Sequence, residues 1–227
     1  MVGEHNPNQL VVEGSDDLFA VVGLMGAHVD WPEGKGSVAS APVFIRNGNG
    51  ATEILTDTFL SVFLKNPVLR SAGLILDADT TPKGRYQSVR ALCIDTFPGL
   101  PKELPNDGLI VENPDGKRFG VWIMPDNSSD GSLETFLKWL VPAPRDPIWN
   151  HAEQSVLAAK RLGCPCRDAH IEKANLYTWL AWQDAPGQHP GVALSRRILD
   201  PQSPQAAAFV AWFIRLYQLP PKSRLFA

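Results

Sequence analysis

Apolar residues along this chain fall into short continuous runs separated by stretches in which they recur every three or four positions. Residues 9–13 (Gln-Leu-Val-Val-Glu) form a brief apolar run closed by Gly14, the pattern of a buried strand. Ser15 and Asp16 are capping types, and Leu18, Phe19, Val22, Leu24 and Met25 follow at helical spacing, which predicts a helix directly after the strand. Residues 26–40 are rich in glycine and polar side chains and read as a loop, irregular hairpin or lid. A second strand is expected at 41–46, a turn at Asn47-Gly-Asn-Gly50, and a helix over 52–65 with Ile54, Leu55, Phe59 and Phe63 on one side. The clearest strand is 71–77, almost wholly apolar, as in a strand covered on both faces. Pro82 opens a helix running to about residue 95. Residues 120–124 predict another strand, ending in Pro125-Asp126-Asn127, and Ser132 caps a helix carrying Leu133, Phe136, Leu137, Trp139 and Leu140. Beyond the proline-rich segment 141–147, helical patterns recur at 150–162, 170–183 and 205–218.

Strands alternating with helices imply an α/β fold: a mainly parallel sheet with helices on both faces and right-handed crossovers. We therefore expect an α/β domain over residues 1–141 and a helical C-terminal extension, 142–227, packed on it. The chain has 227 residues, 44% apolar and 20% charged, enough for a substantial core and unlike disordered or disulfide-stapled chains. The three cysteines, Cys93, Cys164 and Cys166, form neither a zinc set nor an evident disulfide framework, which points to a reducing cytoplasm. No stretch is long and apolar enough for a membrane span, and the N-terminal residues do not pattern as a signal peptide.

The net charge of −3 is unevenly spread. Nine basic against four acidic residues between Lys160 and Arg224 make that segment +5 and leave −8 elsewhere. Internal balance is the commoner reason for such a split; an anion-holding surface beside an acidic centre is the other.

Parallel strands bring their carboxyl ends to one edge of a sheet, where ligands bind in such folds. Glu13 ends the first strand, Asp77 and Asp79 end the third, and Asp126 ends a later one. A strand persisting through Asp77-Ala-Asp79 would turn both acids to the same side. Singly, each acid reads as a cap or loop residue. Together they form a hard oxygen set whose mutual repulsion a divalent cation would relieve, and Mg²⁺ or Mn²⁺ suits such ligands and phosphodiester chemistry.

Val11-Val-Glu-Gly-Ser-Asp-Asp17, followed some sixty residues later by an apolar strand ending in Asp77-Ala-Asp79, resembles the Toprim domain of topoisomerases, primases and several nucleases. The likeness covers residues 9–140, includes the turn at 47–50, and is nearest to the OLD-family nuclease branch and to stand-alone bacterial and archaeal Toprim-like proteins. It implies metal-dependent cleavage of nucleic acid, DNA or RNA, with Glu13, Asp77 and Asp79 catalytic and metal-binding and Asp17 completing the first metal shell. In Asp126-Asn-Ser-Ser-Asp-Gly-Ser-Leu-Glu134, it implies that Glu134 holds a second ion, with Asp126 a further candidate ligand, and that Lys173 faces the scissile phosphate. Small Toprim-like proteins of this kind occur in phage defence beside ABC-type or AAA-type ATPases. The present chain has no phosphate-binding loop, its nearest approach being Glu33-Gly-Lys-Gly-Ser37, so the resemblance implies an ATPase supplied in trans. A homo-oligomer is a further partner expectation. The competing expectation is a non-catalytic nucleic-acid or protein-binding module that keeps the fold and its acids for structure.

Cys164-Pro-Cys166 reads as packed thiols, and the five histidines show no ligand spacing; His170, near Lys173, is expected to face solvent. Trp179, Trp182 and Trp212 are expected in the core or at an interface. Arg85 and Arg90 are weighed as phosphate contacts and expected at a solvated surface.

Overall fold

The computed structural model describes residues 5–32, 40–79, 81–143 and 146–222. The lid expectation, in part, and Glu33-Gly-Lys-Gly-Ser37 fall on residues 33–39, outside the described residues.

The described strands form a five-stranded sheet: β1 (Asn8–Val12), β2 (Phe44–Asn47), β3 (Ser71–Asp77), β4 (Leu109–Glu112) and β5 (Arg118–Met124), in the spatial order β2-β1-β3-β5-β4. The first three neighbouring pairs are parallel, and only β4, paired with β5, is antiparallel. Helices cover both faces, so the molecule is of the α/β class, consistent with a Toprim-like fold. Side chains alternate across the sheet as the pleat requires. Leu10, Val12, Ile75, Trp122 and Met124 enter one core, and Val11, Leu74, Leu76, Val121 and Ile123 the other.

The second core is closed by α2 (Ala51–Ile54), a π-helical turn (Asp57–Ser61), α3 (Val62–Lys65) and α4 (Pro82–Cys93), through Ile54, Leu60, Leu64, Tyr86, Val89 and Cys93. The continuous helix expected over 52–65 is broken. Thr56 adopts an extended backbone and its hydroxyl accepts the Phe59 amide, so the residue caps a new turn instead of continuing the old one.

The first core is covered by α1 (Ser15–Met25), α5 (Leu133–Lys138), α6 (Asp146–Arg161), α7 (Ile171–Ala181), α8 (Pro190–Ser195) and α9 (Ala207–Tyr217). Trp179, Leu180, Leu194, Phe209, Trp212 and Phe213 join the strand side chains in one hydrophobic cluster. The C-terminal helices therefore form the second cover of the sheet. Trp212 Nε1 donates to the Leu109 carbonyl (2.9 Å) and Tyr217 Oη to that of Gln9 (2.9 Å). Trp179 and Trp212 are buried, as expected; Trp182 is half exposed. Two elements have no counterpart in the expectations, β4 and α8. Both are short, and each is held by contacts distant in sequence: β4 by β5, and α8 by α1, where Gly23 and Gly191 let the helix backbones touch.

No helix among the described residues is long and apolar enough to cross a membrane.

Candidate functional site

The carboxyl ends of β1 and β3, the first turns of α1 and α5, and the outer face of α7 meet at one edge of the sheet. Glu13 is the first residue after β1, and its carboxylate stays at this edge because backbone amides hold both oxygens: Oε1 accepts from Asp77 N (2.8 Å) and Oε2 from Ala51 N (3.2 Å). The glycine turn serves that arrangement. Gly48 N and Gly50 N donate to the carbonyls of Val12 and Glu13, and Gly50, at φ 98°, delivers Ala51 to the carboxylate in a backbone conformation that side chains disfavour.

Asp17 sits in the first turn of α1, 7% exposed, with Oδ2 accepting from Gly14 N (3.0 Å). Asp77 closes β3, and its Oδ1 accepts from Leu133 N (2.9 Å) at the start of α5, where Ser132 is the N-cap. Glu134 follows in that turn, accepting from Ser132 Oγ (2.8 Å).

These four acids feel one another. Burial, followed by the Glu13 charge, pushes Asp17 up to about 7, and the Glu134 charge adds to it. Asp77 is raised well above the usual carboxylate range by burial and then by Asp17, Glu13 and Glu134. Glu13 is raised by burial, against the lowering pull of its amide bonds and of Arg85. Repulsion of this kind marks groups whose ionised forms lack compensating positive charge.

The strand does not persist through Asp77-Ala-Asp79, so the condition for a shared face is not met. The strand ends at Asp77; Asp79 has φ 53° and its backbone exchanges hydrogen bonds with Gly131. Its side chain, 65% exposed, is ion-paired with Arg85, whose Nε also donates to the Asp77 carbonyl (2.8 Å). Arg85 is thus an internal partner of the site, and Arg90 is tied to the Pro101 carbonyl (3.0 Å), so neither has the solvated position expected.

Asp126 is engaged in a turn of its own. Its Oδ1 accepts from the amides of Ser128 and Ser129 and from the Ser128 hydroxyl, and its Oδ2 from the Ser129 hydroxyl; these bonds hold its carboxyl below the usual range. It closes a turn after β5 and lines no part of the cleft beside Asp77.

That cleft has a volume of about 600 Å³ and is lined by Asp77, Asp79, Ser132, Glu134, Glu172 and Lys173, among others. Glu13 and Asp17 lie to its side and couple to it electrostatically. Lys173 enters from α7, with Nζ 2.6 Å from Asp16 Oδ2 and 4.0 Å from Glu134 Oε1. His170 also lines the cleft, and its ring meets Arg167 (2.9 Å).

The structure therefore brings Glu13, Asp17, Asp77, Glu134 and Lys173 together, keeps Asp79 at the rim, and ties Asp126 into its serine turn. Asp16, Glu172, Tyr177 and His189 belong to the assembly without having been singled out as site residues from sequence. Glu172 accepts from Ser132 Oγ (3.1 Å) and Thr135 Oγ1 (2.6 Å). Asp16 reads locally as a helix cap, and no spacing connects it to residues more than 150 positions away. His-Pro at a helix start was the available signal for His189, and it predicts a cap rather than a site.

Clustered carboxylates are the hard oxygen donors that a divalent cation takes; backbone amides hold one oxygen each of Asp17 and Asp77 and both oxygens of Glu13. Among the described residues, no group of three or more His, Cys, Asp or Glu side chains is placed to hold a metal ion.

A family model described as "Protein of unknown function (DUF3226)" matches residues 7–218. No curated protein and no solved structure matches the chain.

Proposed function

For this chain, which belongs to the family described as protein of unknown function DUF3226, we propose divalent-metal-dependent cleavage of phosphodiester bonds in nucleic acid. The observation carrying this reading is the carboxylate group Glu13, Asp17, Asp77 and Glu134, whose charges oppose one another beside a cleft that also holds the Lys173 ammonium. Glu13, Asp17, Asp77, Asp79 and Glu134 would hold Mg²⁺ or Mn²⁺. When bound, such an ion offers charge neutralisation at the phosphate and a more acidic water.

The chain's own residues do the rest. Amides of Asp77, Ala51, Gly14 and Leu133 hold three of the carboxylates, so little reorganisation is needed when charge develops nearby. Lys173, half exposed in the same cleft, would offer a positive charge to a phosphate bound there. Arg85 keeps Asp79 at the rim. The three cysteines are free, which suits the reducing cytoplasm proposed for it.

A second reading has its own observation. Glu13 spends both oxygens on amides from two other elements, and Asp77 joins β3 to α5, so these acids also work as structural ties. On that reading the chain is a non-catalytic binding module.

Calorimetry with Mn²⁺, followed by cleavage assays on single-stranded DNA, duplex DNA and RNA, alone and with a candidate ATPase, separates the two. Wild type is expected to bind Mn²⁺ and cleave one substrate. Asp77→Asn should lose binding, and Lys173→Met should keep it but cleave on the order of a hundredfold more slowly. Folded wild type that binds no metal, with or without nucleic acid, overturns the nuclease reading in favour of the module.

A further inference from the structure

Lys173 is held by a chain of contacts that links α7, α1 and α8, and its anchor is the histidine at the start of α8. Asp16 is the hub. Its Oδ2 lies 2.6 Å from Lys173 Nζ and accepts from Tyr177 Oη (3.2 Å), while its Oδ1 lies 2.8 Å from His189 Nε2. The Asp16 side chain is 18% exposed, so these partners supply much of what water would otherwise provide.

The tautomer of His189 follows from its other nitrogen. Nδ1 accepts the Gly191 amide (3.2 Å) as the N-cap of α8, so Nε2 carries the proton and donates to Asp16. Both ring nitrogens are thus engaged within the chain. The ring is further set edge-on against Phe19 (centroids 5.0 Å apart). Its place in the fold depends on the α1–α8 crossing, where a Cβ on Gly191 would overlap the Phe19 carbonyl and one on Gly23 the Gly191 carbonyl.

We propose that Asp16, His189 and Tyr177 are positioning residues that clamp the Lys173 ammonium against the wall of the acidic cleft. This deepens the nuclease reading by saying how its one lysine is aimed, and rests on that reading for its purpose. Without the clamp, a long side chain beside Glu134 would spend its rotamer freedom among several carboxylates. With it, the ammonium has one address, shared between α1 and α7.

Trace acylation of the folded protein at fixed pH, read lysine by lysine by mass spectrometry, tests the clamp without reference to catalysis. Releasing Lys173 should raise its acylation rate about threefold in Asp16→Ala. His189→Ala should move it in the same direction, and His189→Gln, which retains a donor toward Asp16, should restore the wild-type rate. Lys138, paired with Glu153 (2.7 Å), reports global loosening. If it also becomes more reactive in the alanine variants, Asp16→Asn, similar in shape but uncharged, decides the matter. An unchanged Lys173 rate in folded Asp16 variants overturns the proposal. Because cleavage enters nowhere, a chain that binds no metal but shows this pattern loses the nuclease reading and keeps the clamp; one that cleaves without the pattern does the reverse.

Discussion

Asp17 is the residue whose ionisation costs the fold most visibly. Its carboxyl is pushed to about 7 by burial and by Glu13, against an unfolded value of roughly 3.9. The folded state therefore binds this proton more tightly than the unfolded chain, and stability falls as pH rises between those two values. Asp77 and Glu13 are raised as well and act in the same direction. Asp16 is lowered, chiefly because Lys173 and His189 overcome its burial, so its contribution is lost only in acid below the ordinary carboxylate range. Metal-free wild type is accordingly expected to melt several degrees lower at pH 8 than at pH 5, and Asp17→Asn to reduce that difference. Thermal melts in chelator at both pH values measure this. An equal difference in the variant would remove Asp17 from the coupled group. At this scale Glu13 and Asp77 were legible as acids at strand ends, which local patterning locates, whereas Asp17 and Glu134 were implied only by the Toprim resemblance. The place of Asp79 was not legible, because a two-residue spacing implies a shared face only while the strand lasts, and the strand ends at Asp77.

Elements place these residues, and the closest placement is the crossing of α1 and α8. Two glycines meet there, and the physical demand is space rather than an unusual dihedral. Gly23→Ala should cost about 1–3 kcal/mol, because its Cβ would press on the Gly191 backbone. Denaturant unfolding measures the loss, and a neutral substitution would mean that the helices can separate freely. The long helices and the apolar strands were legible because each carries its own period. The break at Thr56 was not: a threonine is compatible with helix, and its capping bond to Phe59 competes locally with continuation. The short α8 has too few residues for a periodic signal, and is fixed by what it touches.

The whole molecule is a sheet with two cores, and the C-terminal helices close one of them. Trp212, fully buried against Trp122, Phe209 and Phe213 and hydrogen-bonded to β4, joins the last helix to the edge of the sheet. Trp212→Ala should cost about 3–5 kcal/mol and, if the tail and sheet form one cooperative unit, lower a single unfolding transition. Two separated calorimetric transitions would show instead that residues 142–227 unfold on their own. The sequence by itself determined the α/β alternation, the order of the main strands and helices, and the gathering of acids at strand ends, because hydrophobic period, caps and turn residues are properties of neighbouring positions. Only the tertiary structure decided the antiparallel edge strand, the turning away of Asp79 toward Arg85, the retirement of Asp126 into its serine turn, and the meeting of Asp16 with Lys173 and His189. The first, second and fourth depend on residues brought together from different elements. The Asp126 turn is local, yet whether its carboxylate closes that turn or faces the cleft depends on how the strand end is presented by the fold.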